Sequence, residues 1–370
     1  MVGRISILFF VVTLGLSGVR ADERVLPLAT LQKMGYRPFN SFPHYRGQRQ
    51  VRSELPTGLK WPVQFVDAAR NIAQNYVNFQ QYGGGLPYYH KGCDLRSPPN
   101  SIVKAPVTGV LEGGYYSYTD NPDGSEIKHW IPWNGKTHSD PYFELAVVTP
   151  DGYRFEMHHV DSMNLPKETI QALNKGNVVV QEGTAIGTVI PWGRDYDHIH
   201  YNIFRQDGVI VNPEAYTVSP ADHIAPKIQA VYGVRADGSV IEMTNGGTVG
   251  PLQQIIVATT ETRDNSIYVQ TPPYIGIQFQ TREMFAWDFR KVLMGPDAKW
   301  PDIRQVFVAR FKTPNGKVLT TSGQYGKGLF LMRLPVPAAS GPFVIAVSDT
   351  AGNTTKFSGI FHRSQKEPVF

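Results

Sequence analysis

The chain has 370 residues, of which 41% are hydrophobic, 12% aromatic and 18% charged, with a formal net charge of +5. At roughly 100–200 residues per domain this allows two folded domains plus extensions, and the 35 Gly and 28 Pro favour a β-dominated chain over a helical bundle. A single cysteine excludes an internal disulfide and a multi-cysteine zinc cluster, and the body holds no apolar run long enough to make the protein polytopic.

Residues 1–21 read as a secretory signal: Arg4 supplies the positive start, Ile5 to Leu16 the apolar run, and Val19-Arg20-Ala21 the small residues at the cleavage positions. The run is too short for a membrane anchor, and no cysteine stands near the cut to make a lipoprotein. Removing Arg4 and Arg20 from the 36 basic residues leaves 34 against 31 acidic, or +3. That balance suits an anionic envelope surface and is too small to argue for nucleic-acid binding. The expectation is an exported protein, periplasmic or secreted, with no transmembrane segment after signal removal.

Residues 22–70 are polar and Pro-punctuated, with Arg46, Arg49 and Arg52 clustered, and read as an extended leader or propeptide-like arm. Phe65 to Arg70 could be helical, while Asn71 to Gln80 alternates like a strand. From Ile102 to Phe204 strands and turns dominate. Phe143–Thr149, the turn Pro150-Asp151-Gly152 and Tyr153–Val160 form one expected hairpin. Val178–Ile190, broken at Glu182-Gly183, is a second, and His198–Phe204 with Val209–Val211 a third. Tyr115 to Asp140 reads as a long aromatic loop carrying Tyr115, Tyr116, Tyr118, Trp130 and Trp133, and loops of that length in compact domains are usually functional or disordered. In the second block, 224–370, alternation at Ile228–Val234, Val306–Val308 and Phe343–Val347 suggests an immunoglobulin-like β-sandwich. His223 and His362 stand alone there and read as surface histidines.

Five of the ten histidines fall in three short motifs: His90-Lys-Gly-Cys93-Asp94, Met157-His158-His159-Val160 and His198-Ile199-His200-Tyr201. In a strand, residues i and i+2 share a face, so His198 and His200 project together while Ile199 points into a core. Both imidazoles can reach a metal, or one can bind it while the other works on the bound water. The same alternation groups Tyr153, Phe155, Met157 and His159 on one face, opposite Arg154, Glu156 and His158. His159 is therefore assigned to the site and His158 to a supporting or surface position. Two His and one Asp suit a three-ligand zinc site with an open position for water, the catalytic rather than the structural pattern. No His-Glu-x-x-His or Gly-x-Ser-x-Gly occurs, and Gly323–Gly328 lacks the Ser/Thr of a phosphate loop. Cys93 alternates with the His and Asp and reads as a buried thiol rather than a nucleophile.

His90-Lys-Gly-Cys-Asp94-Leu95, Ala105-Pro-Val-Thr-Gly-Val110, Gln181-Glu-Gly-Thr-Ala-Ile-Gly187, His198-Ile-His200-Tyr201 and Val211-Asn212-Pro213 together resemble the lysostaphin-type (beta-lytic) zinc endopeptidases. The resemblance covers about residues 71–217. It implies a mainly β chain: an antiparallel-sheet peptidase domain over 71–218, followed by the sandwich over 224–370. It implies one Zn²⁺ held by His90, Asp94 and His200, with His159 and His198 catalytic. It also implies a substrate in the peptide portion of bacterial peptidoglycan, with the Tyr115–Trp133 aromatics walling a groove. The sequence departs from the family pattern at Met157, where Tyr is usual, and at Asn202, where Glu is frequent. Competing readings are a different protein substrate, a catalytically inactive wall-binding or hydrolase-activating protein, and a purely architectural pair of β-domains. The sandwich is expected to position the enzyme on wall or on an envelope partner.

Overall fold

The computed structural model describes residues 37–38, 55–64, 72–81, 85–124, 126–191, 197–206, 208–218, 220–291, 301–323 and 328–363. The expected signal segment, most of the leader and the possible helix at 65–70 lie outside them.

Short alternating runs punctuated by Gly and Pro become strands throughout, as their composition requires. In chain order these are β1 (Arg37–Pro38), β2 (Ile72–Gln74), β3 (Asn78–Gln80), β4 (Tyr88–His90), β5 (Cys93–Arg96), β6 (Ile102–Lys104), β7 (Gly109–Asp120), β8 (Glu126–Pro132), β9 (Phe143–Val148) and β10 (Arg154–His158). Helix α1 (Lys167–Lys175) follows, then β11 (Val179–Val180), β12 (Ala185–Thr188), β13 (His198–Phe204) and β14 (Ile210–Val211). The main sheet runs β1-β8-β7-β9-β10-β13-β5-β2, with β11 joined to β7 and β14 to β13, and every pairing in it is antiparallel.

Alternation gives the two faces of this sheet different chemistry. Leu145 and Val147 of β9, Phe155 and Met157 of β10, Ile199, Tyr201 and Ile203 of β13, and Cys93 and Leu95 of β5 share one apolar core. The intervening residues Glu144, Arg154, Glu156, His158, His198 and Asn202 are nonetheless buried. Buried polar groups need partners, and here they partner one another.

The second half holds β15 (Lys227–Val234), β16 (Val240–Met243), β17 (Thr248–Val249), β18 (Gln254–Thr260), β19 (Tyr274–Phe279), β20 (Arg282–Asp288), helix α2 (Ile303–Val306), β21 (Arg310–Lys312), β22 (Val318–Thr320), β23 (Phe330–Leu334), β24 (Gly341–Ser348) and β25 (Thr354–Phe361). A four-stranded sheet β16-β15-β18-β23 faces a five-stranded sheet β17-β25-β24-β19-β20 across a common core of Val231, Val257, Ile275, Ile277, Met332, Ile345 and Val347, among others. The chain is mainly β, as its composition implies. Tyr76, Val77, Phe79 and Tyr89, from the segment that precedes the first histidine motif, are built into that second core.

Three elements differ from the expectation. Tyr115–Asp140 is not a loop: β7 and β8 pair from Gly114↔Pro132 to Asp120↔Glu126, turning at Asn121-Pro-Asp-Gly124. Tyr115, Tyr116, Tyr118 and Trp130 are strand residues, whereas Trp133 follows the end of β8 and begins a shorter loop. Val178–Ile190 does not fold on itself; β11 adds to β7 and β12 pairs with β6. Ile303–Val306 is a turn of helix begun by Asp302, whose side chain accepts from the Arg304 N–H, rather than the start of a strand.

Candidate metal centre

The polar face of the main sheet carries one continuous row across its strands. Asp94 of β5 is the direct cross-strand partner of His200 of β13, His200 of His158 in β10, and His158 of Glu144 in β9. Direct partners in an antiparallel pair bring their side chains close on one face. The row therefore assembles a carboxylate, two imidazoles and a second carboxylate with no loop involved.

Asp94 is the hub. Its Oδ1 lies 2.9 Å from His90 Nε2 and 2.9 Å from His200 Nδ1, with His198 Nε2 at 3.6 Å. His90 and Asp94 are buried, His200 nearly so. His90 Nδ1 donates to the Asn75 carbonyl oxygen at 3.1 Å, which leaves its Nε2 as a lone pair aimed at Asp94. Two acceptors so placed require a proton or a cation between them. Burial pushes the Asp94 carboxyl up, but His90 and His198 overcome it and hold the group well below the usual carboxylate range. Burial and His90 push His200 down to about 3. The donor atoms of His90, Asp94 and His200 lie within 4.8 Å of one another, so this group could hold a metal ion.

Gly92 lets the two motifs meet. A Cβ there would collide with Asn202 Oδ1, and would lie 2.5 Å from the Tyr201 carbonyl oxygen and 2.9 Å from His200 Nε2. The turn between β4 and β5 thus passes directly against β13, and only glycine fits.

His159 reaches the site by a route that strand alternation does not describe. β10 ends at His158, and His159 adopts φ +65°, an uncommon conformation for a residue with a Cβ. The turn swings its ring to 4.7 Å from that of His198. Its Nδ1 donates to the Pro141 carbonyl oxygen at 2.7 Å, and the Tyr116 hydroxyl lies 3.2 Å from the same nitrogen. Burial, helped by the neighbouring His198, lowers its basicity well below the ordinary histidine range. His158 is on the site's own face, buried, with its ring 5.0 Å from that of His200. It is not a surface residue, and burial with the field of Lys128 lowers it to about 4.

Glu144, Glu156 and His158 form a second group with convergent donors. Cations of the chain already serve it: Lys128 Nζ bonds both Glu144 and Glu156, the latter at 2.8 Å, while Arg154 reaches Glu156 at 2.6 Å, Glu144 at 2.9 Å and Glu112.

All five candidate residues, His90, Asp94, His159, His198 and His200, lie together. Residues missed at the sequence level are Asn75 and Gly92; Tyr116 was expected only as a groove aromatic, and its contact with His158 and His159 was not. Tyr116 alternates within an aromatic strand and is legible only once that stretch is read as β. Tyr116 and Trp130 sit against the polar network, at His158 and Arg154 respectively. Tyr115 and Trp133 pack instead on Phe143 of the apolar core. Cys93 is buried, and burial pushes its thiol well up. His223, which bonds Asp264, and His362 are exposed.

No helix among the described residues is long and apolar enough to cross a membrane. No protein-family model and no curated protein matches the chain. Among solved structures, one of Csd3 from Helicobacter pylori, in an orthorhombic crystal, aligns at 14% identity and a TM-score of 0.29, covering 46% of this chain. The chain spans 37% of the length of that neighbour.

Proposed function

We propose that the chain is an exported zinc metalloendopeptidase that hydrolyses peptide bonds in bacterial peptidoglycan. The observation that carries this reading is the convergence of His90 Nε2, Asp94 Oδ1 and His200 Nδ1, with the His159 and His198 rings packed together beside them. Two imidazole nitrogens and one carboxylate oxygen, with a further position left open, are the donor set of a catalytic zinc. Bound there, zinc would acidify a water and polarise the scissile carbonyl.

The rest of the chemistry belongs to the chain. His159 commits Nδ1 to the Pro141 carbonyl, so Nε2 carries the lone pair that can accept a proton. Its lowered basicity keeps it neutral at pH 7, with that lone pair unprotonated. His198 is the second group able to hold or deliver a proton, or to donate to a developing oxyanion. Burial of both excludes water and strengthens each of these interactions. Asp94, Asn75 and Gly92 fix the rings before substrate arrives. The choice of peptidoglycan peptide as substrate rests on the motif resemblance, and the groove would be walled by the β7–β8 hairpin. The C-terminal sheets would then hold the enzyme on wall or on an envelope partner.

The test is mass spectrometry of muropeptides released from purified peptidoglycan by the purified chain, with and without chelator and with zinc restored. New peptide ends that vanish with chelator and return with zinc are expected. Zinc-independent release, or no release from any peptidoglycan by a zinc-loaded protein, would overturn the reading.

A further inference from the structure

Where the two halves of the chain meet, three buried carboxylates come together from three separate segments. Asp222 lies in the connection before β15, Glu261 directly after β18 and Asp349 directly after β24. One oxygen from each lies within 4.8 Å of the others, and the residues are 9%, 1% and 2% exposed. Asp349 Oδ1 accepts from the backbone N–H groups of Gly352 at 2.6 Å and Asn353 at 2.9 Å, and its Oδ2 accepts from Asn353 Nδ2 at 2.8 Å. Asp222 Oδ1 accepts from the N–H groups of Ile224 at 3.2 Å and Asp264 at 3.4 Å.

Glu261 is different. Neither of its carboxylate oxygens has a hydrogen-bond partner among the described residues. Its backbone is fixed by reciprocal bonds with Gln270, at 3.0 and 2.8 Å, so the side chain is held on the cluster rather than free to swing to solvent. The nearest cation does not answer the deficit. Arg263 is buried and directs its guanidinium to Glu214 at 2.6 Å and to Gln270 Oε1 at 2.8 Å. Four buried carboxylates therefore share one buried arginine, and an unpaired buried charge is among the costliest features a fold can carry.

We propose that Asp222, Glu261 and Asp349 form a calcium site that clamps the connection between the two halves to two turns of the C-terminal sheets. The donors are all oxygen, which suits a hard cation and disfavours zinc or copper. The near-complete burial leaves little room for the water shell that magnesium retains, whereas calcium accepts many protein oxygens at flexible geometry. The cluster is also placed to transmit order. Asn353 Nδ2 bonds the Asp222 carbonyl oxygen at 2.9 Å, and Thr350 Oγ1, next to Asp349, bonds Glu214 Oε2 at 3.1 Å. Glu214 belongs to the turn Pro213–Ala215 that closes the histidine-bearing half. A cation at the cluster would thus lock the junction from both sides. A proton is the competing occupant: burial, the largest influence, pushes the Glu261 carboxyl up to about 9 against the field of Arg263.

The full chain carrying His200→Ala, which weakens the histidine centre, is stripped with EGTA and titrated with calcium chloride by calorimetry and by thermal unfolding. One calcium per chain and a Tm raised by several degrees are expected, with magnesium chloride at equal concentration giving a smaller shift. Glu261→Gln keeps the shape and removes one charge. It should unfold in EGTA at or above the Tm of its parent, yet bind calcium at least tenfold more weakly. Absence of calcium heat and of any Tm shift in the parent overturns the proposal. So does unchanged calcium binding in Glu261→Gln, or a parent that ignores calcium and is stabilised only by acidification.

Discussion

The side-chain amide of Asn75 donates to the carbonyl oxygen of Thr271 at 2.8 Å, across 196 residues of sequence. The same Asn75 offers its own carbonyl oxygen to His90 Nδ1, so a residue of the second half holds the residue that orients a candidate metal ligand. Two further bonds reinforce the clamp: Gln270 Nε2 to the Ile72 carbonyl at 2.7 Å and the Thr271 N–H to Asn78 Oδ1 at 2.6 Å. Groups that orient a ligand typically contribute about 10–100-fold to metal affinity. Asn75→Ala is expected to weaken zinc retention by about tenfold in a chelator competition while the far-ultraviolet spectrum is unchanged. Unaltered zinc affinity would remove the clamp from the account.

Truncation after residue 223 is expected to leave no folded metal centre. It would strip the cover from Tyr76, Val77, Phe79 and Tyr89, which are buried in the second core. At about 1.5–3 kcal/mol for each large apolar side chain, the loss is about 6–12 kcal/mol, comparable with the whole stability of a domain. Solubility, cooperative unfolding and zinc content of the fragment check this. A soluble fragment that unfolds cooperatively with full zinc would show that the halves are independent.

Gly92→Ala should empty the metal centre at modest cost elsewhere, because the new methyl is driven not only into the Asn202 amide but into the Tyr201 backbone carbonyl and the His200 ring. Gly183→Ala is the control. Gly183 has φ +83° and open space around its Cβ position, so the change should cost about 1–2 kcal/mol through backbone strain alone and leave zinc bound. Equal zinc stoichiometry in the two variants would contradict the role given to Gly92.

The legible parts of this site were those governed by strand period. His198 and His200 share a face because they are two apart in β13, and the spacing His90-x-x-x-Asp94 spans a glycine turn between two consecutive strands of different sheets. His159 follows a different rule: alternation puts it on the apolar face, and the structure delivers it to the site through a positive φ that no periodicity announces. Pairing partners were equally hidden. β11 and β12 read as a hairpin because they are adjacent in sequence, yet β11 adds to β7 of the main sheet and β12 pairs with β6 in a separate two-stranded sheet. The burial of Tyr76, Val77, Phe79 and Tyr89 in the other half is a long-range packing fact, invisible to any local pattern.

The buried charge network on the polar face predicts an acid transition. Burial would raise Glu156, but Lys128 and Arg154 overcome it and hold the carboxyl well below its ordinary value of 4.5. A group depressed in the folded state contributes stability above its unfolded pKa and loses it as pH falls. The share of the stability that Glu156 contributes should therefore be level from neutral pH down to about 5 and decline below it. Glu156→Gln should flatten that decline while lowering the plateau by about 3–5 kcal/mol, since it leaves buried cations short of a partner. Chemical denaturation at a series of pH values checks both, and an undiminished acid slope in Glu156→Gln would move the effect elsewhere.

The two classes of histidine should separate in one experiment. His90→Ala and His200→Ala each remove a donor from the convergent set and should lose both zinc and activity. His159→Ala and His198→Ala leave His90, Asp94 and His200 intact, so zinc should stay bound while kcat falls by about 10²–10⁴-fold, the usual contribution of a positioned acid or base. Tyr116→Phe tests the geometry more finely. It deletes the hydroxyl 3.2 Å from His159 Nδ1 but leaves the stronger 2.7 Å bond to the Pro141 carbonyl in place. The proton-accepting nitrogen therefore keeps its tautomer, and the expected loss is only a few-fold, in kcat rather than in zinc content. Zinc loss in His159→Ala would make that residue a ligand instead, and the division of labour drawn from the Asp94 hub would have to be redrawn.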